Sequence, residues 1–384
     1  MNFEAVPSFV VWKAFRSTAV HLAPLFEEPL SSSSKAALIE GPRSWTWKEL
    51  RLEVEALAEK LSVQGIGSGC LVAARGVSDS RMVFLAHALW AIRATFLPLN
   101  ARWTPGETQS ALRQAGRAAL AEPSEKGDWK ISWLNPEAAP FAQEGWPSRA
   151  SSPEGIQLVL FTSGTSGSPK AALIPFRAIE ASARAAALQL SLGADTRWLC
   201  CMPLFHTGGL LIVYRSAFYG STLILHPEFD AIHVNDAIDS GTVTMVSLVP
   251  TMLHRLLVAR EGKPFPPSLR CILLGGAKAS PGLLREARRL GAPVAPTYGL
   301  TETASQLCTL PPEEFAKLSE KDFESVPLAP LPGVSIEIRD EKGRLLPPGT
   351  LGEIFVRAPM VMSGYLGDPA ATERSLPGGT LRTG

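Results

Sequence analysis

No stretch of this chain reaches the roughly 18 uninterrupted apolar residues that a membrane-crossing helix needs, so no span is expected. An excess of one charge sign is missing as well. The formal net charge is +1, which removes the bulk electrostatic reason to expect nucleic acid or an acidic membrane as partner. Cysteine is sparse: Cys70, Cys200, Cys201, Cys271 and Cys308 show no CxxC spacing. Four of the five sit among apolar residues and read as small buried hydrophobes, so neither metal nor disulfide is expected of them, and a reducing cytoplasm is. His21, His87, His226, His233 and His254 lack the mutual spacing of a zinc site. The start, "MNFEAVPSFVVWKAF", has neither a basic n-region nor a small-residue cleavage site, and no secretory signal is expected. No repeat of fixed period is present.

What the chain does have is alternation. Apolar runs of strand length, "CLVAARG" (70–76), "IQLVLF" (156–161), "RWLCCMP", "STLILHP", "TVTMVSLVP" (242–250), "LRCILLGG" (269–276) and "PVAPTYG" (293–299), are separated by helical patterns such as the Ala-rich 177–192. Residues 80–100 read as a helix followed by a short strand. This alternation predicts an α/β fold of two stacked layers with mostly parallel sheets and right-handed crossovers. Pro123, Pro136, Pro140, Pro147 and Pro153 make 121–155 read as an irregular connection. After about residue 325, period-two alternation broken by Gly and Pro predicts a small antiparallel, barrel-like β unit. The expected division is therefore 1–155, 156–325 and 326–384, in keeping with the two or three units a chain of 384 residues accommodates.

The segment "FTSGTSGSPKAAL" (161–173) stands out. Gly164 and Gly167 allow several backbone N–H groups to turn toward one point, a concavity suited to an anion. Thr162, Ser163, Thr165, Ser166 and Ser168 add hydroxyls, and Lys170 adds a positive charge. It is not a Walker loop. That pattern needs G-x-x-x-x-G-K-[ST], whereas here the glycines are three apart, Pro169 precedes the lysine and Ala171 follows it. A plain Ser/Gly turn is the alternative.

"TSGTSGSPK" resembles the phosphate loop of the adenylate-forming superfamily, which includes acyl-CoA synthetases, luciferases and peptide-synthetase adenylation domains. Further segments resemble that family in the same order: "LLGGAKAS" (273–280), "YGLTETAS" (298–305), "GTLGEIFVRAPMVMSGYLG" (349–367) and "GGTLRTG" (378–384). The resemblance implies the family's large N-terminal domain as the fold. It implies ATP and magnesium as cofactors and coenzyme A as co-substrate. Thr162, Ser163, Gly164, Thr165, Ser166, Gly167 and Lys170 would hold phosphates. Gly275, Gly276 and Ala277 would lie against adenine, Tyr298 would stack on it, and Gly299 belongs to the same motif. Thr301 would hydrogen-bond the α-phosphate and Glu302 would hold the metal, as a hard oxygen ligand bridging to phosphate should. A helix N-terminal carboxylate is the alternative for Glu302, and a strand-end turn is the alternative for Gly275 and Gly276. The family's C-terminal lid domain, with its lysine, is expected to lie outside the chain, leaving it with weak activity or none. A homodimer is a family-level expectation.

The acid is harder to read. In "MPLFHTGGLLIVYRSAFYG" (202–220), Arg215 lies two turns inside an otherwise greasy helix, on a stripe with Gly208, Leu211 and Ile212. A guanidinium there suits a substrate with a second carboxylate. The P-L-F-H element, with a basic residue nine positions after His206, resembles one subgroup, the 2-succinylbenzoate–CoA ligases of menaquinone biosynthesis. "VSLVPTMLHRLL" (246–257) and "PLNARWTPGE" (98–107) resemble it too. By that resemblance Arg215 would pair with the aromatic carboxylate, and Ser247 and Ser305 would supply pocket hydrogen bonds. The alternatives are a structural ion pair for Arg215, packing or gating for His206, a structural Ser247 and a surface Arg102. Another aryl or medium-chain acyl-CoA synthetase is the alternative enzyme, and a nucleotide- and acid-binding module without full catalysis is the alternative of another class.

Overall fold

The structure, a computed structural model, describes residues 30–116, 118–124, 128–134, 155–162 and 169–384. The first elements are β1 (Ala36–Glu40), β2 (Arg43–Thr46), α1 (Trp47–Val63), β3 (Leu71–Arg75), α2 (Ser80–Ala91) and β4 (Thr95–Leu99). Then come α3 (Pro105–Ala115), β5 (Ala118–Pro123), β6 (Trp129–Leu134), β7 (Ile156–Phe161), β8 (Ala171–Pro175) and α4 (Phe176–Leu190). The middle holds β9 (Arg197–Cys200), α5 (Thr207–Tyr219), β10 (Thr222–Leu225), α6 (Ala231–Asp239), β11 (Met245–Leu248), α7 (Pro250–Ala259), β12 (Cys271–Leu274) and α8 (Pro281–Arg289). The chain finishes with β13 (Val294–Leu300), β14 (Ser305–Thr309), α9 (Pro312–Ala316), β15 (Ala329–Pro330), β16 (Ser335–Arg339), β17 (Glu353–Arg357), β18 (Gly364–Tyr365), α10 (Pro369–Ser375) and β19 (Leu381–Arg382).

Helix starts follow local chemistry. Thr46 and Glu49 form a capping box on α1, and Thr104 with Glu107 forms another on α3, where Pro105 takes the first turn. Strands make two large sheets. The nine-stranded sheet runs β15-β14-β13-β12-β11-β9-β10-β1-β2, and the seven-stranded sheet runs β18-β8-β7-β4-β3-β5-β6. Each has a parallel centre, β1-β10-β9-β11-β12-β13 in one and β7-β4-β3-β5 in the other. Antiparallel strands close the edges.

The period-two rule divides the seven-stranded sheet between two cores. Val72, Ala74, Phe96, Leu158, Leu160, Ala172 and Ile174 face the main core shared with the other sheet. Their neighbours Leu71, Ala73, Leu97, Val159, Ala171 and Leu173 face a second core capped by Ala111 and Ala115 of α3. Helices α2, α4 and α5 lie in the layer between the sheets: Tyr214 of α5 meets Trp90 of α2 at 4.7 Å between ring centroids, and Tyr219 of α5 hydrogen-bonds the Ala183 carbonyl of α4. The Ala-rich face of α4, with Ala178, Ala181 and Ala185 buried, lets both sheets approach it.

The stacked α/β layers are as expected. The third unit is an open three-stranded antiparallel sheet, β16-β17-β19, without barrel closure among the described residues. Its sequence neighbour β18 leaves it and pairs with β8. The expected irregular connection differs in its first part. Ala118–Pro123 and Trp129–Leu134 pair antiparallel as β5 and β6, with Ala119 facing Trp133 and Ala121 facing Ile131; Pro136, Pro140, Pro147 and Pro153 fall outside the described residues. The boundary at 155/156 falls between β6 and β7, two strands of one sheet, while β1 and β2 belong to the other.

Candidate functional site

A cavity of about 820 Å³ opens where β11, β12 and β13 end, the carboxyl-end position where open α/β sheets bind ligands. Its walls come from both large sheets and from the C-terminal unit.

The β7–β8 hairpin carries the glycine-hydroxyl loop. Phe161 pairs with Ala171, the Thr162 amide donates to the Lys170 carbonyl at 2.8 Å, and the Lys170 amide donates to Thr162 Oγ1 at 3.4 Å. The loop thus bridges two antiparallel strands. A Walker loop instead leads into a helix whose N-terminal amides attract phosphate, so topology and spacing agree in excluding it. Ser163, Gly164, Thr165, Ser166 and Gly167 lie outside the described residues. Thr162 and Lys170 line the cavity, and Lys170 Nζ stands 5.2 Å from the ring centroid of Tyr365.

The turn between β13 and β14 supplies the next wall. Tyr298, Gly299, Thr301, Glu302 and Ser305 all line the cavity. The turn is tight: Ala304 has φ 47° and Ser305 φ 93°, two successive non-glycine residues in the left-handed region, a conformation that costs energy and persists only where surroundings impose it. Gly299 is required there, because a Cβ would lie 1.7 Å from the Ser305 carbonyl oxygen. Thr207 Oγ1 donates to Thr301 Oγ1 at 3.2 Å. Glu302 Oε1 accepts from the Tyr365 hydroxyl at 2.8 Å. Burial, followed by the Glu302 carboxylate, raises the Tyr365 pKa and keeps that proton on the phenol.

On the facing side, Gly275 and Gly276 line the cavity, Gly276 at φ 80° and Gly275 with Thr297 Cγ2 only 2.8 Å from where a Cβ would stand. Ala277, expected beside them, is exposed and is not among the lining residues.

Helix α5 forms the deep wall. His206 caps its start, exposed at the mouth; its desolvating surroundings, and then the charge of Arg102, lower its pKa. Arg102 itself is exposed, as its surface alternative expected. Arg215 lines the cavity yet is only 1% exposed. Its Nη1 donates to Gln306 Oε1 at 2.6 Å and its Nη2 to Ser182 Oγ at 2.7 Å. Its Nε has no partner among the described residues, and no carboxylate among them pairs with it. The structural ion pair is therefore not what holds Arg215. Burial lowers its pKa, although a guanidinium stays charged. The helix is buried from Gly209 to Ala217, so burial runs round all of its sides and not only along the stripe that carries Arg215. Ser247 Oγ accepts from the Trp198 indole at 3.0 Å.

No group of three or more His, Cys, Asp or Glu side chains suited to a metal occurs among the described residues. Of the two carboxylates that line the cavity, Glu353 is paired with Arg382, whereas Glu302 has Oε1 engaged by the Tyr365 hydroxyl and Oε2 left for a ligand. That set fits magnesium, which keeps several waters and takes one or two carboxylates plus phosphate oxygens.

The model of the AMP-binding enzyme family matches residues 26–366. The chain belongs to that family. This AMP-binding enzyme is 35% identical over 357 residues to the 2-succinylbenzoate–CoA ligase of Bacillus pumilus, covering 91% of this chain and 72% of the relative. It is 34% identical over 371 residues to the ligase of the same name from Bacillus subtilis, covering 94% and 74%. The solved O-succinylbenzoate coenzyme A synthetase of B. subtilis in complex with AMP matches with a TM-score of 0.82 at 31% identity, over 95% of this chain and 75% of that one. The same enzyme has been solved with ATP and magnesium ion. The amide bond synthetase of Marinactinospora thermotolerans matches with a TM-score of 0.78 at 30% identity, over 92% and 74%. This AMP-binding enzyme is an adenylate-forming acid–CoA ligase, and no helix among its described residues is long and apolar enough to cross a membrane.

Sequence reasoning missed four wall residues and one, Ser182, that stands behind the wall against Arg215. Tyr365 was visible only as part of "SGYLG". Gln306 follows the motif serine, and Thr207 follows His206, so adjacency could have flagged both. Trp198 reads as a strand hydrophobe, and Ser182 is one hydroxyl in an Ala-rich helix; neither carries a sequence signal of its role.

Proposed function

We propose that the chain activates 2-succinylbenzoate with ATP, giving the acyl-adenylate and pyrophosphate, and that the acyl group then passes to coenzyme A. The observation that carries this reading is the buried Arg215, unpaired with any carboxylate among the described residues and standing on the wall of the nucleotide-sized cavity. A buried unpaired charge costs several kcal/mol. A fatty acid leaves that charge as it is, whereas a second carboxylate neutralises it through a bidentate fork. Trp198, Ile212 and Leu273 add apolar wall suited to an aromatic ring. Ser247, already accepting from Trp198, keeps its own hydrogen to donate to the acid. The Bacillus relatives named 2-succinylbenzoate–CoA ligase support such an acid.

In this reading Lys170, Thr162 and the loop 163–168 hold the phosphates, and Tyr298 stacks on adenine opposite Gly275 and Gly276. Thr301, oriented by Thr207, donates to the α-phosphate, and Glu302 holds the metal. Magnesium, when bound, neutralises phosphate charge as the pyrophosphate leaves. A carboxylate oxygen of the acid attacks the α-phosphorus, and the bond to the β-bridging oxygen breaks with its electrons on pyrophosphate. The chain's part is to hold two anions together, which needs positioned donors and cations rather than a covalent intermediate.

The test is pyrophosphate release over a panel of aromatic, dicarboxylic and fatty acids, with acyl-CoA detected by mass spectrometry. 2-Succinylbenzoate should give the highest kcat/KM, and equal values for benzoate or hexanoate would overturn the substrate. Arg215→Gln should raise its KM by tenfold or more, the loss of about 1.5–3 kcal/mol expected for a hydrogen bond to a charged group.

A further inference from the structure

The Tyr365 side chain contacts two charged groups of the cavity wall, Lys170 and Glu302. It lies on β18, opposite Ala172 of β8, which places Lys170 at the diagonal cross-strand position. Its ring sits under Lys170 Nζ at 5.2 Å, within the range of a cation–π contact. Its hydroxyl donates to Glu302 Oε1 at 2.8 Å. Four further hydrogen bonds fix Tyr365 and the segment before it. Its amide donates to Thr372 Oγ1 at 2.9 Å, the amide of Met362 donates to the Glu302 carbonyl at 2.8 Å, and Arg177 Nη1 clamps the carbonyls of Pro359 and Val361 just upstream. Among the described residues neither Lys170 nor Glu302 has an ion-pair partner, although the same phenol contacts both.

We propose that Tyr365 is a positioning residue that holds the Lys170 ammonium and the Glu302 carboxylate apart and each in place, so that the phosphates and their magnesium enter a preset gap rather than a closed ion pair. The two halves of the side chain separate these duties: the ring seats the cation, and the hydroxyl aims the carboxylate. The proposal rests on the reading of Lys170 and Glu302 as the phosphate and metal residues.

The experiment is titration calorimetry of the 384-residue chain with ATP, at several magnesium concentrations and in EDTA, for wild type, Tyr365→Phe, Tyr365→Leu, Glu302→Gln, Lys170→Ala and the double variant Tyr365→Phe/Glu302→Gln. Tyr365→Phe keeps the ring, so ATP affinity in EDTA should stay within twofold, while the magnesium concentration that half-enhances binding should rise roughly tenfold. Tyr365→Leu should also lose affinity in EDTA. In the Glu302→Gln background Tyr365→Phe should add nothing, as expected for one residue acting through another. An unchanged magnesium dependence in Tyr365→Phe, with Glu302→Gln and Lys170→Ala both impaired, would overturn the role of Tyr365 alone. Unimpaired Glu302→Gln and Lys170→Ala would overturn the site reading beneath it. Thermal melts of each variant check the fold, and should Tyr365→Leu unfold, Tyr365→Phe and the double variant still decide.

Discussion

Arg215 Nη1 lies 2.6 Å from Gln306 Oε1, so the deepest cation of the cavity leans on a neutral amide where a carboxylate would fit. Gln306 has a task of its own, donating from Nε2 to Thr309 Oγ1 at 3.0 Å. Gln306→Glu would give Arg215 an internal counter-ion. The expected result is an unchanged or higher melting temperature together with a KM for the dicarboxylate raised at least about tenfold, as one charged hydrogen-bond partner displaces another. A KM equal to that of wild type would mean that the acid does not use Arg215.

Arg215→Met probes the other side of the same balance. Replacing a buried, poorly compensated charge with an apolar side chain of similar length is often neutral or stabilising, by about 1–4 kcal/mol. Urea denaturation should show no loss of stability, while selectivity for dicarboxylates over monocarboxylates disappears. A large loss of stability with selectivity intact would assign Arg215 to packing.

Gly299 and Gly106 make opposite predictions. Gly299→Ala drives a Cβ into the Ser305 carbonyl, so a loss of at least ~3 kcal/mol is expected, the upper end of overpacking. Gly106 sits in the first turn of α3 with no atom within 4 Å of the added carbon. Gly106→Ala should gain about 0.4–1 kcal/mol by restricting the unfolded chain. Melting curves of the two variants read both signs.

His87 should give the fold a pH dependence. It is buried against Tyr214, and desolvation lowers its pKa to about 4. The folded state therefore resists a proton that the unfolded chain accepts below its ordinary value of 6.5. Stability is complete above that value and falls as pH drops from there toward 4, by up to ~3 kcal/mol for this group. His87→Leu should flatten that part of the stability profile relative to wild type in urea denaturation between pH 4.5 and 7.5. Parallel profiles would show that His87 takes no part.

Much of this was legible because buried strands and the glycine-hydroxyl loop write themselves locally. Residues 156–161 form the strand their apolar run announces, and 271–274 likewise. Trp129, Ile131 and Trp133 alternate too, yet the prolines downstream hid their strand. Sheet membership was not legible, since nothing in Ala36–Thr46 says that it will pair with a strand near residue 223. The cavity divides the same way. Thr301, Glu302 and Lys170 come from motifs, whereas the Tyr365–Glu302 contact spans 63 residues. Ser182, hydrogen-bonded at once to Arg215 and to the Ala304 carbonyl, is set by helix packing alone.

The threading of the two sheets has a consequence for how this chain can be divided. β1 and β2 are made first but complete the sheet built from β9 onward, and β18, made near the end, completes the sheet begun at β3. A break between residues 155 and 156 would leave two fragments, neither owning a finished sheet. The first would carry the β1–β2 pair without β10, the neighbour of β1, and the second would expose β7 where β4 belongs. Such pieces should regain the native form only when mixed, and neither half could be traded as a module between proteins without its counterpart.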